Sequence, residues 1–210
     1  ARIPGPREEF LINPFGLMFE EVTASSLVKV NLAGKVLSDS VGLGINEAGF
    51  VIHGAIHQGR ADVVCVIHTH TPAGMAVSAQ ADGLLPLSQT AMLFYGQLGY
   101  HAYEGIAIDM EERKRLVADL GPYRAMILQN HGLLAAGRSI AEAFNAIFFL
   151  ENACHAQVQA MAGGAKLVLP PGAAAEKTAA IFNENGLDAA NRDWPALLRL
   201  VDRLDPSYRD

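Results

Sequence analysis

Cysteine is scarce in this chain. Only Cys65 and Cys154 occur among 210 residues, too few and too far apart for a disulfide scaffold, so both thiols are expected to act as small apolar fillers in a reducing compartment. Charge is scarce too, at 18% of residues, while half the residues are hydrophobic. That balance excludes long disordered tracts and supports a true core. Net charge is −6 with no basic patch, which excludes nucleic acid and anionic membrane surfaces as expected partners. No apolar run approaches the ~18 residues of a membrane span. Repeats and low-complexity tracts are absent. Pro4, Pro6, Arg7, Glu8 and Glu9 make the start unlike a signal peptide. One cytoplasmic domain over residues 1–210 is expected.

What is present reads as mixed strands and helices, an α/β or α+β sandwich. Phe10 to Asn13 is a short apolar run closed by the turn signal Pro14-Phe15-Gly16. Ser26 to Leu37 reads as a hairpin. Ala48 to Arg60 has helical spacing, with Phe50, Ile52, His53 and Ile56 on one face. Val63 to Ile67 is a β-branched run of the kind buried on both faces. Pro72 to Gln80 reads as a helix with Thr71 as N-cap and Pro72 at its first position, and Leu87 to Phe94 as another. Tyr100 to Ile108 reads as extended, followed by an Asp109-x-x-Glu112 box that opens a helix to Leu120. Ala125 to Leu128 and Leu133 to Ala136 read as strands. Ser139-x-x-Glu142 is a capping box at the head of a helix through Met161, closed by Gly163-Gly164. Pro170 to Ala175 reads as a linker. Glu176 to Asn183 and Trp194 to Leu204 read as two C-terminal helices.

The chemistry concentrates in His68-Thr69-His70, at the end of the buried strand. Residues i and i+2 of an extended chain point to the same side, so both imidazoles can face one point. His131 stands at the end of a second apolar strand, beside Gly132, which permits close backbone approach. Three imidazoles from two strand ends suit a divalent ion such as zinc; manganese or iron is the alternative, because imidazole discriminates weakly. His53 and His57, spaced i, i+4, read as a packed helix face rather than a ligand pair. His101 and His155 read as surface or interface residues. Asp109, Glu111 and Glu112 read as a helix N-terminus complementing the macrodipole.

The stretch from His53 through Arg60 to IHTHTPAGMAVSA, and QNHGLLAAG from Gln129 to Gly137, resemble the metal motifs of the class II aldolase/adducin family. LINPFGLMFEEVTASSLVKVNLAGKV, GLLPLSQTAM and the C-terminal WPALLRLVDRLDPSYRD resemble its adducin-like bacterial branch. The resemblance implies a three-layer sandwich with a central, mostly antiparallel sheet flanked by helices. It also implies a homotetramer with sites near subunit interfaces, and His68, His70 and His131 as metal ligands. It further implies an N-terminal helix and a glycine-rich anion-binding loop ahead of Ala1-Arg2, which this sequence does not include.

Two departures shape the expected function. The family's glutamate, a metal ligand and proton mover, falls on Gly49, leaving Glu47, Glu104 and Tyr103 as candidate catalytic or proton-transfer groups. Tyr208 is a further proton donor to consider. The family's phosphate-binding stretches match Asn13-Pro14-Phe15-Gly16 and Glu47-Ala48-Gly49, where Phe15 replaces a hydroxyl residue and Glu47-Ala48 a serine pair. A carboxylate ~4 Å from a phosphate costs about 4 kcal/mol at an effective dielectric near 20. The substrate-binding candidates Asn13, Glu47 and Gly49 therefore suit a small anionic, non-phosphorylated molecule. A metal-dependent lyase acting on a hydroxy- or oxo-carboxylate by aldol cleavage or decarboxylation is expected. The alternative is a non-catalytic adducin-like structural or interaction protein with a vestigial metal site.

Overall fold

The computed structural model describes residues 1–105 and 111–210, with the backbone alone for residues 185–189 of its last helix. In chain order its elements are β1 (Glu9–Ile12), β2 (Val28–Asn31), β3 (Val36–Ser38), α1 (Glu47–Gly59), β4 (Cys65–Thr69), α2 (Pro72–Ser78) and α3 (Gln89–Met92). There follow β5 (Gly99–His101), α4 (Glu112–Leu120), β6 (Ala125–Leu128), β7 (Gly132–Gly137), α5 (Ile140–Met161) and α6 (Gly172–Leu204).

The central sheet has the order β4-β7-β6-β5. β4 pairs antiparallel with β7 and β7 with β6, while β5 joins β6 in parallel. The period of two sorts its side chains into two cores. Met126, Leu128, Leu134 and Ala136 pack with Ile52 and Ile56 of α1 and Leu116 and Leu120 of α4. Ala125, Ile127, Leu133 and Ala135 face the other way, onto Val77 of α2 and Ile147, Leu150 and Cys154 of α5. The expected three-layer sandwich results. β1, β2 and β3 form a separate antiparallel sheet whose Phe10, Val28 and Val30 pack on Phe50 of α1. Among the described residues no helix is long and apolar enough to cross a membrane. Both cysteines are buried free thiols, and burial pushes the Cys154 thiol up to about 12.

Several expectations change. The two C-terminal helices are one, α6, running through Pro195 and absorbing most of the expected linker. Packing overrides the proline signal: Ala175, Ala179 and Ala190 are buried, and Trp194 meets Phe144 of α5 edge-on. The Ser139 box is half formed. Ser139 Oγ accepts from the Glu142 N–H at 3.0 Å. The buried Glu142 carboxylate instead accepts from the backbone N–H and guanidinium of Arg138 and from Arg124. Burial alone would raise the Glu142 carboxyl, but these donors hold it below the usual carboxylate range. His101 is not a surface residue. It is buried, and its Nδ1–H donates to Asp119 at 2.7 Å with Glu112 at 3.5 Å from its other nitrogen. Asp109 and the end of the expected 100–108 extension lie outside the described residues.

Candidate metal centre

Three backbone devices converge on one end of the β4–β7 pair. β4 delivers His68 opposite Leu134 and Thr69 opposite Leu133, with His70 one residue beyond the strand. A tight β6–β7 connection, with Leu128 opposite Gly132, carries His131. Asn130 in that turn has φ 55°, a left-handed conformation that asparagine tolerates better than most residues. Gly132 is required by space: a Cβ there would lie 2.3 Å from the Thr69 carbonyl oxygen and 3.2 Å from the His70 ring. That close approach brings the two strand ends, and so the three rings, together.

The ring centroids lie 4.6, 4.8 and 4.7 Å apart for His68–His70, His68–His131 and His70–His131. One donor nitrogen from each ring lies within 4.8 Å of the others. His68 Nδ1 is 2.8 Å from the Leu133 carbonyl oxygen, an arrangement in which Nδ1–H donates. A neutral His68 then presents a bare Nε2 lone pair toward His70 Nε2, 2.8 Å away. Burial pushes the His68 imidazole down to about 3 and also lowers His131. Nitrogen lone pairs aimed at one another repel unless a proton or cation lies between them. Neutral rings with a backbone-fixed tautomer are the donor set a divalent ion such as zinc requires. Among the described residues this is the one cluster of three or more histidine, cysteine or carboxylate side chains able to hold an ion.

A cleft of about 470 Å³ opens at His68, with residues 12–19 on one wall and Asn46, Gly49 and His53 on the other. Asn13 and Gly49 are among its lining residues. Glu47 is not: it is exposed on the first turn of α1 and lines a different cleft with Lys35 and Arg113. Glu47 and Gly49 are two steps apart along the helix, about 200° of rotation, so the pair cannot face the same way. Glu104 is engaged by Arg115, with Nε–Oε1 at 2.7 Å and Nη2–Oε2 at 2.5 Å. Neither Glu104 nor the exposed Tyr103 lines the cleft. Tyr208 is bonded to Asp202 at the C-terminus. Sequence reasoning missed Asn46, whose side chain caps α1 by accepting from Gly49 N–H at 3.2 Å. An asparagine directly before the first helical residue was the available signal.

His53 and His57 lie on α1, as a packed face would place them. His57 is buried and stacks on Phe10 at 4.5 Å, and its Nδ1 has no hydrogen-bond partner. Burial pushes its imidazole from 6.5 to about 3. Below pH 6.5 the unfolded chain gains a proton here and the folded chain does not. Stability therefore falls with pH across that window, by roughly 1.4 kcal/mol per unit for this group. Urea unfolding of metal-free protein between pH 7.5 and 5 checks this: in His57→Leu the slope below 6.5 is shallower by about that amount. An unchanged slope would mean His57 titrates alike in both states.

Relatives supply the context for this geometry. The family model for the class II aldolase and adducin N-terminal domain matches residues 1–158. The solved structure of an aldolase II superfamily protein from Pseudomonas syringae is similar at TM-score 0.96 and 51% identity, covering 100% of this chain and 84% of that one. An L-fuculose 1-phosphate aldolase from Glaciozyma antarctica superposes at TM-score 0.81 with 29% identity, over 97% of this chain and 78% of that one. Alpha-adducin of Rattus norvegicus is 44% identical over 97% of this chain, which spans 30% of that longer protein. With that family-model match over three quarters of its length, on the sandwich and strand-end histidines described above, the chain belongs to the class II aldolase and adducin N-terminal domain family.

Proposed function

We propose that His68, His70 and His131 hold one divalent ion, zinc in the first instance and manganese or iron as alternatives. On this reading the protein is a cytoplasmic, homotetrameric lyase that cleaves or decarboxylates a small non-phosphorylated hydroxy- or oxo-carboxylate. The observation that carries the proposal is the His68 Nδ1–Leu133 bond, which fixes one ring while a donor nitrogen from each of the other two lies within 4.8 Å of its own.

A divalent ion held by His68, His70 and His131 would supply Lewis acidity toward a substrate carbonyl. The residues of the chain do the rest. The Leu133 carbonyl holds the His68 tautomer and ring plane, the backbone approach at Gly132 keeps His131 in range, and Asn13 and Asn46 offer uncharged hydrogen bonds at the cleft. Three neutral imidazoles leave the full charge of the ion uncompensated, which favours an anionic chelating substrate. Among the described residues no lysine or arginine lines the cleft, which speaks against a phosphate anchor. Among the described residues no carboxylate of the same chain lines it to move a proton either. Tyr103, exposed beside Glu104, is the group we assign to proton transfer across a subunit interface.

Gly49 favours a second reading, in which the protein is a non-catalytic relative of adducin that retains the ion without chemistry. A turnover screen of hydroxy- and oxo-acids on zinc-, manganese- and iron-loaded protein separates the two. At least one acid is expected to be cleaved or decarboxylated, and a chelator to abolish the reaction. Absence of turnover with every acid and ion would remove the lyase reading and leave the second.

A further inference from the structure

We infer that the molecule recognised by this cleft carries an apolar group of about aromatic size next to its chelating oxygens, and that Phe15, Met18 and Phe19 select it. The inference rests on the proposed metal-centred function and specifies its substrate class.

The wall formed by residues 12–19 is unusual for its exposure. Phe15 is 59%, Met18 63% and Phe19 84% exposed, three large apolar side chains within five residues. Single exposed apolar residues are ordinary, but a cluster at the rim of a cleft marks a place where something apolar is bound. The opposite wall and floor are Asn46, Gly49, His53 and His68. Among the described residues the cleft holds no aspartate, glutamate, lysine or arginine. The lining thus joins two histidines and two asparagines to several large apolar side chains, the composition of a site that orients a polar head and buries an apolar tail.

Size agrees. The cleft's volume of about 470 Å³ falls in the range of ~300–1,000 Å³ typical of sites for drug-sized ligands, well beyond what a three-carbon acid fills. The rim is also built before any ligand arrives. The Phe15 N–H donates to the Gly44 carbonyl at 3.0 Å, and the Met18 N–H donates to Glu21 Oε2 at 2.7 Å. The partner loop is itself held by Asp39, whose carboxylate accepts from Val41, Gly42 and Gly44 at 3.0, 2.8 and 2.7 Å. An apolar arm fixed at both ends spends little entropy on binding.

Calorimetry on the zinc-loaded full chain tests this with lactate, 3-phenyllactate and phosphoglycolate as probes. Phenyllactate is expected to bind at least about ten-fold more tightly than lactate, with phosphoglycolate the weakest of the three. In Phe15→Ser/Phe19→Ser the preference for phenyllactate falls to about two-fold or less, and retained zinc reports that the centre is still folded. Equal affinities for lactate and phenyllactate in the wild type would overturn the apolar arm and leave the metal-centred reading standing. Lactate binding that survives removal of zinc would overturn the metal-centred reading instead. Failure of every probe to bind would overturn both. A variant that keeps the phenyllactate preference while changing the oligomeric state by light scattering would assign the arm to contacts between copies, against this inference.

Discussion

Gly49→Glu is expected to tighten zinc binding by one to two orders of magnitude and to stabilise the metal-free protein by about 1 kcal/mol. The substitution places a carboxylate where the family resemblance puts a glutamate. Space allows it: the nearest atoms to a Cβ on Gly49 are those of the Asn46 side chain, at 3.5, 3.6 and 3.7 Å, all ordinary contacts. Gly49 lines the same cleft as His53 and His68. A carboxylate about 4 Å from a cation gains roughly 4 kcal/mol per unit charge pair at an effective dielectric near 20. Desolvating the carboxylate removes part of that gain, and a residue of about 1.4–2.8 kcal/mol corresponds to the stated range. The stability term is separate. Glycine in a helix costs ~0.8–1 kcal/mol relative to alanine, and an acid in the first turn complements the macrodipole. For a chain of this size 1 kcal/mol raises Tm by about 2–4 °C. A zinc competition titration beside a thermal melt distinguishes the terms. A raised Tm with unchanged zinc affinity would mean the new carboxylate folds back onto the Asn46 N–H as a capping box, and that Gly49 does not face the ion.

The features of this molecule legible in its sequence are those set by local periodicity. The apolar runs that became β6 and β7 were found almost to the residue because they are buried on both faces and leave no polar alternation to misread. α1 is legible from its helical spacing, with Phe50, Ile52 and Ile56 all buried, and the period of two in an extended chain aims His68 and His70 together. What the local pattern could not reveal is partner identity across long sequence distances. His101 looks like any strand-end histidine until α4 brings Asp119 and Glu112 against it, 18 and 11 residues later in the chain. Glu47 was a reasonable stand-in for the family's glutamate by sequence distance, but the helical rotation between positions 47 and 49 turns it onto another face. Glu104 was judged without Arg115, which engages both of its carboxylate oxygens. The exposure of Phe15, Met18 and Phe19 is also absent from the pattern, because exposure is a property of what fails to pack, and the turn signal at Pro14-Phe15-Gly16 says nothing of it.

The larger effect is expected for His68→Ala. It removes one of three ring ligands and also leaves the Leu133 carbonyl without its N–H donor, so the two remaining imidazoles lose both a partner and a fixed neighbour. Loss of a supporting group alone typically costs 10–100-fold in metal affinity, so loss of a ligand is expected to exceed 100-fold. The most direct test is elemental analysis of wild type and His68→Ala after loading with zinc and exhaustive dialysis. About one zinc per chain in the wild type and essentially none in the variant is the predicted outcome; equal zinc in the two proteins, or none in either, would contradict the assignment of His68, His70 and His131 as a metal centre.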